Sequence, residues 1–257
     1  MKMGLKYNFE YPIDSPSRTP IHKRIIEEKK FLRLLYELWY HQITSEVKNL
    51  PKGLLIELGC GAGFLKKIEP KILCSDIIPQ PSNDLTFSAL NMPFENNSVS
   101  GIFMIDTFHH LPDSKLFLSE ANRVLKTAGK IIMIEPVNSL WGRFIYRNFH
   151  HEPFDIRANW KISVEGPLTG ANGALPWIVF IRDKSLFQEQ FPNLKIERVT
   201  YQNPLLYFLS GGLTYRQMLP DFTYSFIRFL DNLLPVISKQ FSMFMRITIV
   251  KDGQVRV

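Results

Sequence analysis

Leu54-Leu-Ile-Glu-Leu-Gly-Cys-Gly-Ala-Gly-Phe64 is the stretch on which the fold turns. Its first half is an apolar run of Leu54, Leu55, Ile56 and Leu58, interrupted by one acid, Glu57. A short apolar run bounded by glycine reads as a strand buried on both faces, as in parallel sheets. Its second half sets Gly59, Gly61 and Gly63 two residues apart. Lacking a Cβ, this turn can bend sharply and approach a ligand closely. A helix is expected from about Ala62, with its free N–H groups facing the same place.

Spacing sorts among the loops that hold nucleotides. A dinucleotide fingerprint needs its third glycine at Phe64 or Lys66, and a P-loop needs a glycine at Phe64. Neither is present. What remains is Glu57-x-Gly59-x-Gly61-x-Gly63, which resembles the first motif of the Rossmann-like methyltransferases that use S-adenosylmethionine. The plainer alternative is a tight strand-to-helix turn with no ligand.

The resemblance continues along the chain. Lys71-Ile-Leu-Cys-Ser-Asp76 reads as the second strand, with Asp76 at its carboxyl end. One strand-helix-strand unit separates Glu57 from Asp76, so the two tips should be neighbours. Leu85 to Phe94 resembles the family stretch in which a short third strand ends in Asp-Ala and runs into Leu-Pro-Phe. Here Ser88 and Ala89 hold those positions and Met92 stands for the leucine. Val99 to Asp106 is the fourth strand. It leads into Thr107-Phe-His-His-Leu-Pro-Asp113, whose last residue can cap a helix over about 114–126. Ala128-Gly129 should close that helix, and Lys130 to Pro136 is the fifth strand. His-His-Leu-Pro-Asp, helix, Arg-Val-Leu-Lys-x-x-Gly, strand and Glu-Pro, in this order, are typical of the family over about 52–136.

The resemblance implies an α/β fold. It is a Rossmann-like, mostly parallel sheet of seven strands in the order 3-2-1-4-5-7-6, with helices on both faces. It implies S-adenosylmethionine as cofactor, held by Glu57, Gly59, Gly61, Gly63 and Asp76. Ser88, Ala89 and Met92 would lie toward the adenine, Asp106 and Glu57 toward the amino acid end. Ser88 can hydrogen-bond the adenine only without the charge of the family's acid.

Outside the core, residues 1–20 carry Tyr11-Pro12, Ser15-Pro16 and Thr19-Pro20 and cannot form one regular element. Ile25, Leu32, Leu35, Tyr36, Trp39, Ile43 and Val47 then mark one helix over about 22–48. Residues 137–182 are rich in polar and aromatic groups and should lie beyond the carboxyl edge of the sheet, where substrates bind. Asp183 can cap a helix over about 184–191, and Leu194 to Tyr201 alternates as a sixth strand should. The seventh strand is delayed to about 243–251. The intervening 203–242 includes an aromatic helical region from Phe222 to Phe241, readable as a lid, as a small extra core or as a peripheral membrane contact. The expected organisation is one domain over 1–257. It comprises an N-terminal cap and helix over 1–50, a cofactor-binding half over 51–136, and substrate-side insertions over 137–182 and 203–242.

Composition narrows the partners. The net charge is +7, but Lys and Arg are scattered and no nucleic-acid-binding module is visible, so no nucleic acid is expected. Cys60 and Cys74 are the only cysteines and show neither metal spacing nor a disulfide framework. No apolar run approaches the length of a spanning helix and no signal peptide is visible, so a cytoplasmic protein is expected, peripheral to a membrane at most. For an oxygen acceptor, His110, His151 and Glu152 are candidate bases. His109 and His110 read most simply as packing at a strand-to-helix turn. His150, His151, Glu152 and Asp155 match no zinc pattern, so no metal is expected. The expected reaction is methyl transfer to a small molecule, glycan precursor or lipid, at oxygen. The alternatives are a quinone- or lipid-directed enzyme at a membrane and a cofactor-binding protein without catalysis.

Overall fold

The computed structural model describes residues 7, 10–150, 152–162 and 166–253. Seven strands form one sheet in the order β3-β2-β1-β4-β5-β7-β6, as the resemblance implied. The strands β1 (Leu54–Leu58), β2 (Ile72–Asp76), β3 (Leu85–Thr86), β4 (Val99–Ile105) and β5 (Leu125–Pro136) run parallel. β7 (Phe244–Lys251) runs antiparallel between β5 and β6 (Leu194–Gln202). Strand order reverses at β1, which lies between β2 and β4, and a crevice at such a point opens at the carboxyl ends of the strands. β4 is buried at every residue from Val99 to Met104, so both faces of the sheet centre are covered.

Two helices precede β1 where the apolar pattern predicted one. They are α1 (Arg18–Glu28) and α2 (Lys30–Val47). Lys29 between them is extended, and its buried ammonium donates to the carbonyls of Gly212 and Tyr215. Lysine is an ordinary helix former, so only this long-range clasp marks the break. The stripe of α2 (Phe31, Leu32, Leu35, Trp39 and Ile43) is fully buried, and the Trp39 ring lies 4.8 Å from that of Phe244. Each such side chain removed from water contributes about 1.5–3 kcal/mol.

Helix α3 (Phe64–Ile68) starts later than expected, because left-handed Gly63 stands at its N-cap. β3 stops at Thr86, short of Ser88. Helix α4 (Ser114–Val124) is capped as expected, with Asp113 accepting from the Leu116 N–H at 3.0 Å. Ala128 and Gly129 do not close it. The chain enters β5 at Leu125, and the two residues lie in that strand where its register against β4 slips; Ala128 takes φ 62°.

The first insertion contains α5 (Leu140–Phe149) and α6 (Leu175–Trp177), the latter widening into a π-helical turn through Arg182. Asp183 precedes α7 (Lys184–Gln190) without capping it; its carboxylate pairs with Arg182 and accepts from Trp160 Nε1 at 2.9 Å. The second insertion holds α8 (Leu206–Ser210) and α9 (Tyr224–Ile237). The N-terminal segment is tied to both insertions. Asp14 accepts from the N–H groups of Leu168 and Thr169 at 2.6 and 3.1 Å, and the Tyr7 N–H donates to Thr214 O at 2.9 Å.

Candidate active site

Buried β1 delivers Glu57 and the glycine turn to the carboxyl edge of the sheet. Gly59, Gly61 and Gly63 all take left-handed φ, of 69°, 48° and 68°. At Gly59 a Cβ would stand 2.5 Å from Thr107 Cγ2, so the close approach of the β1 and β4 loops requires glycine. At Gly61 a Cβ would meet no described atom within 4 Å and would project into open space. The Gly61 N–H donates to Asp76 Oδ2 at 3.1 Å, and the Ile78 N–H to Oδ1 at 3.0 Å. Ser82 Oγ donates to Gly61 O at 2.7 Å. Cys60 and Cys74 are joined by a disulfide that ties this turn to β2. The expectation of two unlinked cysteines is therefore corrected. Fourteen residues separate them in sequence, but pairing of β1 with β2 brings their Cα atoms to 5.5 Å.

Two carboxyls at this edge are electrostatically loaded. Burial pushes Glu57 up to about 8, and the nearby Asp76 charge adds to it. Glu57 Oε2 is buried with no hydrogen-bond partner among the described residues. Burial also raises Asp76, against the N–H groups it accepts from. Beyond β3, Ser88 Oγ accepts from the Leu90 N–H at 3.2 Å, Ala89 is half-buried, and Met92 is buried.

A second cluster forms where β4 and β5 end. Asp106 ends the β4 segment with φ 54°. Glu135 near the end of β5 is fully buried; its Oε1 accepts from the N–H groups of Thr107 at 2.9 Å and Phe108 at 2.6 Å. Its Oε2 lies 2.8 Å from His109 Nδ1, and His109 Nε2 lies 3.2 Å from Glu152 Oε2. Glu152 Oε1 is 3.7 Å from His110 Nε2, and its Oε2 is 3.7 Å from His150 Nδ1. His110 Nδ1 is 3.3 Å from Gly170 O.

Burial opposes charge on His109, but its bonds to Glu135 and Glu152 outweigh it and hold the ring well above the usual histidine range. Burial likewise opposes charge on Glu152, and the bond to and charge of His109 override it, keeping this carboxylate ionised. His110 is pushed down to about 4 by burial and then by the His109 charge. Burial pushes Asp106 up to about 7 against the His109 charge, with Glu152 and Glu135 adding to the rise.

This cluster forms one wall of a small pocket, partly open to solvent, lined by Asp106, His150, Glu152, Tyr146, Tyr207 and Phe244 among others. A second pocket, more open to solvent, shares His150 and Tyr207 with the first. Its other walls include Ile145, Phe149, Phe208, Met218 and Met243. The covering part of the second insertion is therefore 206–218, while α9 packs against β6 and leaves Phe222, Phe226 and Phe229 exposed.

The structure thus gathers Glu57, the three glycines and Asp76 at one end of the crevice, with Ser88, Ala89 and Met92 on the segment beyond β3. It puts Asp106 and Glu152 on the pocket wall, with His110 off that wall, 3.7 Å from Glu152. His151 lies outside the described residues. Sequence reasoning left His109 to packing and gave Glu135 no role, although both join the cluster. The available signal for Glu135 was a carboxylate at the carboxyl end of an otherwise apolar strand.

Residues 56–133 match the model of the methyltransferase domain family. No curated protein matches the sequence. Among solved structures, a methyltransferase from Haloferax volcanii, in complex with a methyltransferase activator, aligns with TM-score 0.53 at 11% identity, covering 96% of this chain and 100% of that one. A SAM-dependent methyltransferase of Thermotoga maritima, described as a possible histamine N-methyltransferase, gives TM-score 0.51 at 18% identity over 91% and 99% of the two chains. A geranyl diphosphate methyltransferase, in complex with its diphosphate and sinefungin, gives 0.50 at 13% identity over 98% and 89%. At such identities the likeness is one of fold. The domain match, the strand order and the glycine turn agree: residues 56–133 carry a methyltransferase domain, set in a sheet of the Rossmann-like methyltransferase order.

Proposed function

We propose that this chain transfers a methyl group from S-adenosylmethionine to an oxygen of a small, largely apolar acceptor, a lipid or glycan precursor included. The observation that carries this reading is the junction of the Asp106–Glu152–His110 cluster with cavities walled by aromatic and aliphatic side chains. Such a junction suits an acceptor with an apolar body and one polar reacting group.

The cofactor supplies an electrophilic methyl group on a sulfonium. The glycine turn fits it, because Gly61 leaves room where a side chain would intrude. Asp76 would accept from the ribose hydroxyls. Glu57, whose Oε2 lacks a partner among the described residues, and Asp106 would face the amino acid end. Ser88, Ala89 and Met92 would line the adenine. On the acceptor side, Glu152 and His110 would take the hydroxyl proton. The aromatic walls would exclude water and hold the oxygen in line.

Calorimetric titration with S-adenosylmethionine and S-adenosylhomocysteine tests the cofactor half. Micromolar binding is expected, weakened about 10- to 100-fold in Asp76→Ala, since hydrogen bonds to a charged group contribute about 1.5–3 kcal/mol. A folded sample that binds neither ligand would sink the reading. Apolar alcohols and phenols, followed by release of S-adenosylhomocysteine, test the acceptor half.

A second reading places the enzyme peripherally on a membrane, drawing its acceptor from the lipid phase. It rests on the exposed apolar stripe of α9, where Phe222, Phe226, Phe229 and Val236 are 84%, 64%, 61% and 82% accessible. Among the described residues no helix is long and apolar enough to cross a membrane.

A further inference from the structure

Of the three histidines that face Glu152, His109 and His110 present Nε2 to it and are anchored from behind, while His150 presents Nδ1 at 3.7 Å. His109 Nδ1 lies 2.8 Å from Glu135 Oε2, and His110 Nδ1 lies 3.3 Å from Gly170 O. An acceptor at Nδ1 fixes a proton there, which leaves the Nε2 atom to serve whatever it faces. Both Nε2 atoms face the same carboxylate, at 3.2 Å from Oε2 and 3.7 Å from Oε1. An imidazole lone pair aimed at a carboxylate is repelled. A proton on His109 Nε2 cures one of these approaches and leaves the other. A single cation between the three groups cures both.

The rest of the surroundings agrees with a cation. The three donor atoms of His109, His110 and Glu152 lie within 4.8 Å of one another. Ligands at about 2.0–2.2 Å from one tetrahedral ion stand about 3.3–3.6 Å apart, a separation that the 3.2 and 3.7 Å approaches of Glu152 to the two rings already meet, so what remains is for the two rings to close on each other. A carboxylate and a backbone carbonyl behind the rings are the outer partners that metal-bound imidazoles carry. Glu152 also lines the cavity, so one side of the cluster opens toward bound molecules.

We propose that His109 Nε2, His110 Nε2 and Glu152 form a divalent transition-metal site of the two-histidine, one-carboxylate kind, open to the acceptor cavity. Imidazole nitrogens favour zinc, iron, cobalt or nickel over magnesium or calcium. The ligands come from two separate loops, after β4 and after α5, which is why local spacing around His150 and His151 gave no metal pattern. The site stands on geometry alone. Its use, to hold the acceptor oxygen as a further ligand and make its proton easier to lose, rests on the methyl-transfer reading above and would stand in place of proton removal by Glu152 and His110, whose donor atoms the ion would occupy.

The test is a Co²⁺ titration of the full chain after chelator treatment, followed by visible absorption and by metal analysis, with Zn²⁺ as competitor. One Co²⁺ per chain is expected, with ligand-field bands that Zn²⁺ abolishes. His110→Ala and Glu152→Gln should each weaken Co²⁺ binding about 100-fold or more, and Glu135→Gln about 10- to 100-fold through the His109 ring. Calorimetry with S-adenosylhomocysteine on every variant reports separately on fold and cofactor site. Absence of stoichiometric Co²⁺ uptake by the parent chain, or unchanged uptake by both ligand variants, overturns the metal site. Co²⁺ bound at these residues in a folded chain that ignores S-adenosylhomocysteine would uphold the metal site and remove the methyl-transfer reading.

Discussion

Gly59 and Gly61 differ by what a methyl group would meet, and that difference is measurable. Left-handed φ costs a non-glycine residue about 1–2 kcal/mol. At Gly59 a clash with Thr107 adds about 1–3 kcal/mol of overpacking. Gly59→Ala should therefore lower the thermal midpoint far more than Gly61→Ala. Gly61→Ala should instead weaken S-adenosylhomocysteine binding at least tenfold, because its methyl enters the open space beside Asp76. Equal midpoints for the two variants would contradict this division.

Glu57 makes a pH prediction. Its carboxyl is raised to about 8 when folded, against about 4.3 in an unfolded chain. Between those values the unfolded state holds fewer protons, so this group's contribution to stability is complete below about pH 4 and is lost as pH rises to about 8. Asp76 on β2 and Tyr40 on α2 face it, and Asp76 deepens the effect. Glu57→Gln should raise the melting temperature at pH 8 by several degrees and leave it nearly unchanged at pH 4.5, while weakening cofactor binding. These residues were legible because they sit in one local stretch. His109 with Glu135 was not, because their contact joins two strand ends and no spacing along the chain encodes it.

Helix α9 is held by one buried acid. Asp231 accepts from the N–H groups of Leu205 at 2.7 Å and Leu206 at 2.9 Å, and from Asn203 Nδ2 at 2.9 Å. Asn203 Oδ1 in turn accepts from Trp39 Nε1 at 2.8 Å, so the chain of bonds runs from α9 to α2. Asp231→Ala strands three donors and should cost about 3 kcal/mol, read as a lower denaturant midpoint. Asp231→Asn should recover part of it; a fully stable alanine variant would mean that α9 docks by apolar contact alone. At this scale the sequence spoke clearly wherever an element's own pattern set it, as in β1, β4, α4 and β7. It failed where a partner far along the chain decides. The Lys29 break between α1 and α2 answers to the carbonyls of Gly212 and Tyr215. The slipped register of β5 around Ala128 answers to β4. The Cys60–Cys74 bond answers to the pairing of β1 with β2.

The whole molecule is cationic, at +7, and asymmetric in its apolar surface. Helix α9 buries Tyr224, Ile227 and Asp231 against the fold and turns Phe222, Phe226, Phe229, Leu233, Val236 and Ile237 away from it. Leu140, Phe144 and Phe241 are exposed as well, and the Leu140 N–H donates to Gln240 at 3.0 Å, so the two apolar sets adjoin across one side of the molecule. The inner face of α9, with Tyr224 and Ile227, joins the core, and the outer side chains line neither pocket. Exposed Arg147, Arg228 and Lys239 flank the patch, and each basic residue near an anionic leaflet contributes about 1 kcal/mol. The chain should therefore co-sediment with vesicles containing phosphatidylglycerol, less with pure phosphatidylcholine, and less again in high salt. Phe226→Ser with Phe229→Ser should weaken this at least tenfold while leaving the thermal midpoint unchanged, since both rings are already in water. Arg228→Glu with Lys239→Glu should remove the preference for anionic vesicles and spare what apolar insertion supplies. If the parent chain stays in the supernatant with both vesicle types, the acceptor must reach the cavity from solution, and the stripe needs another partner.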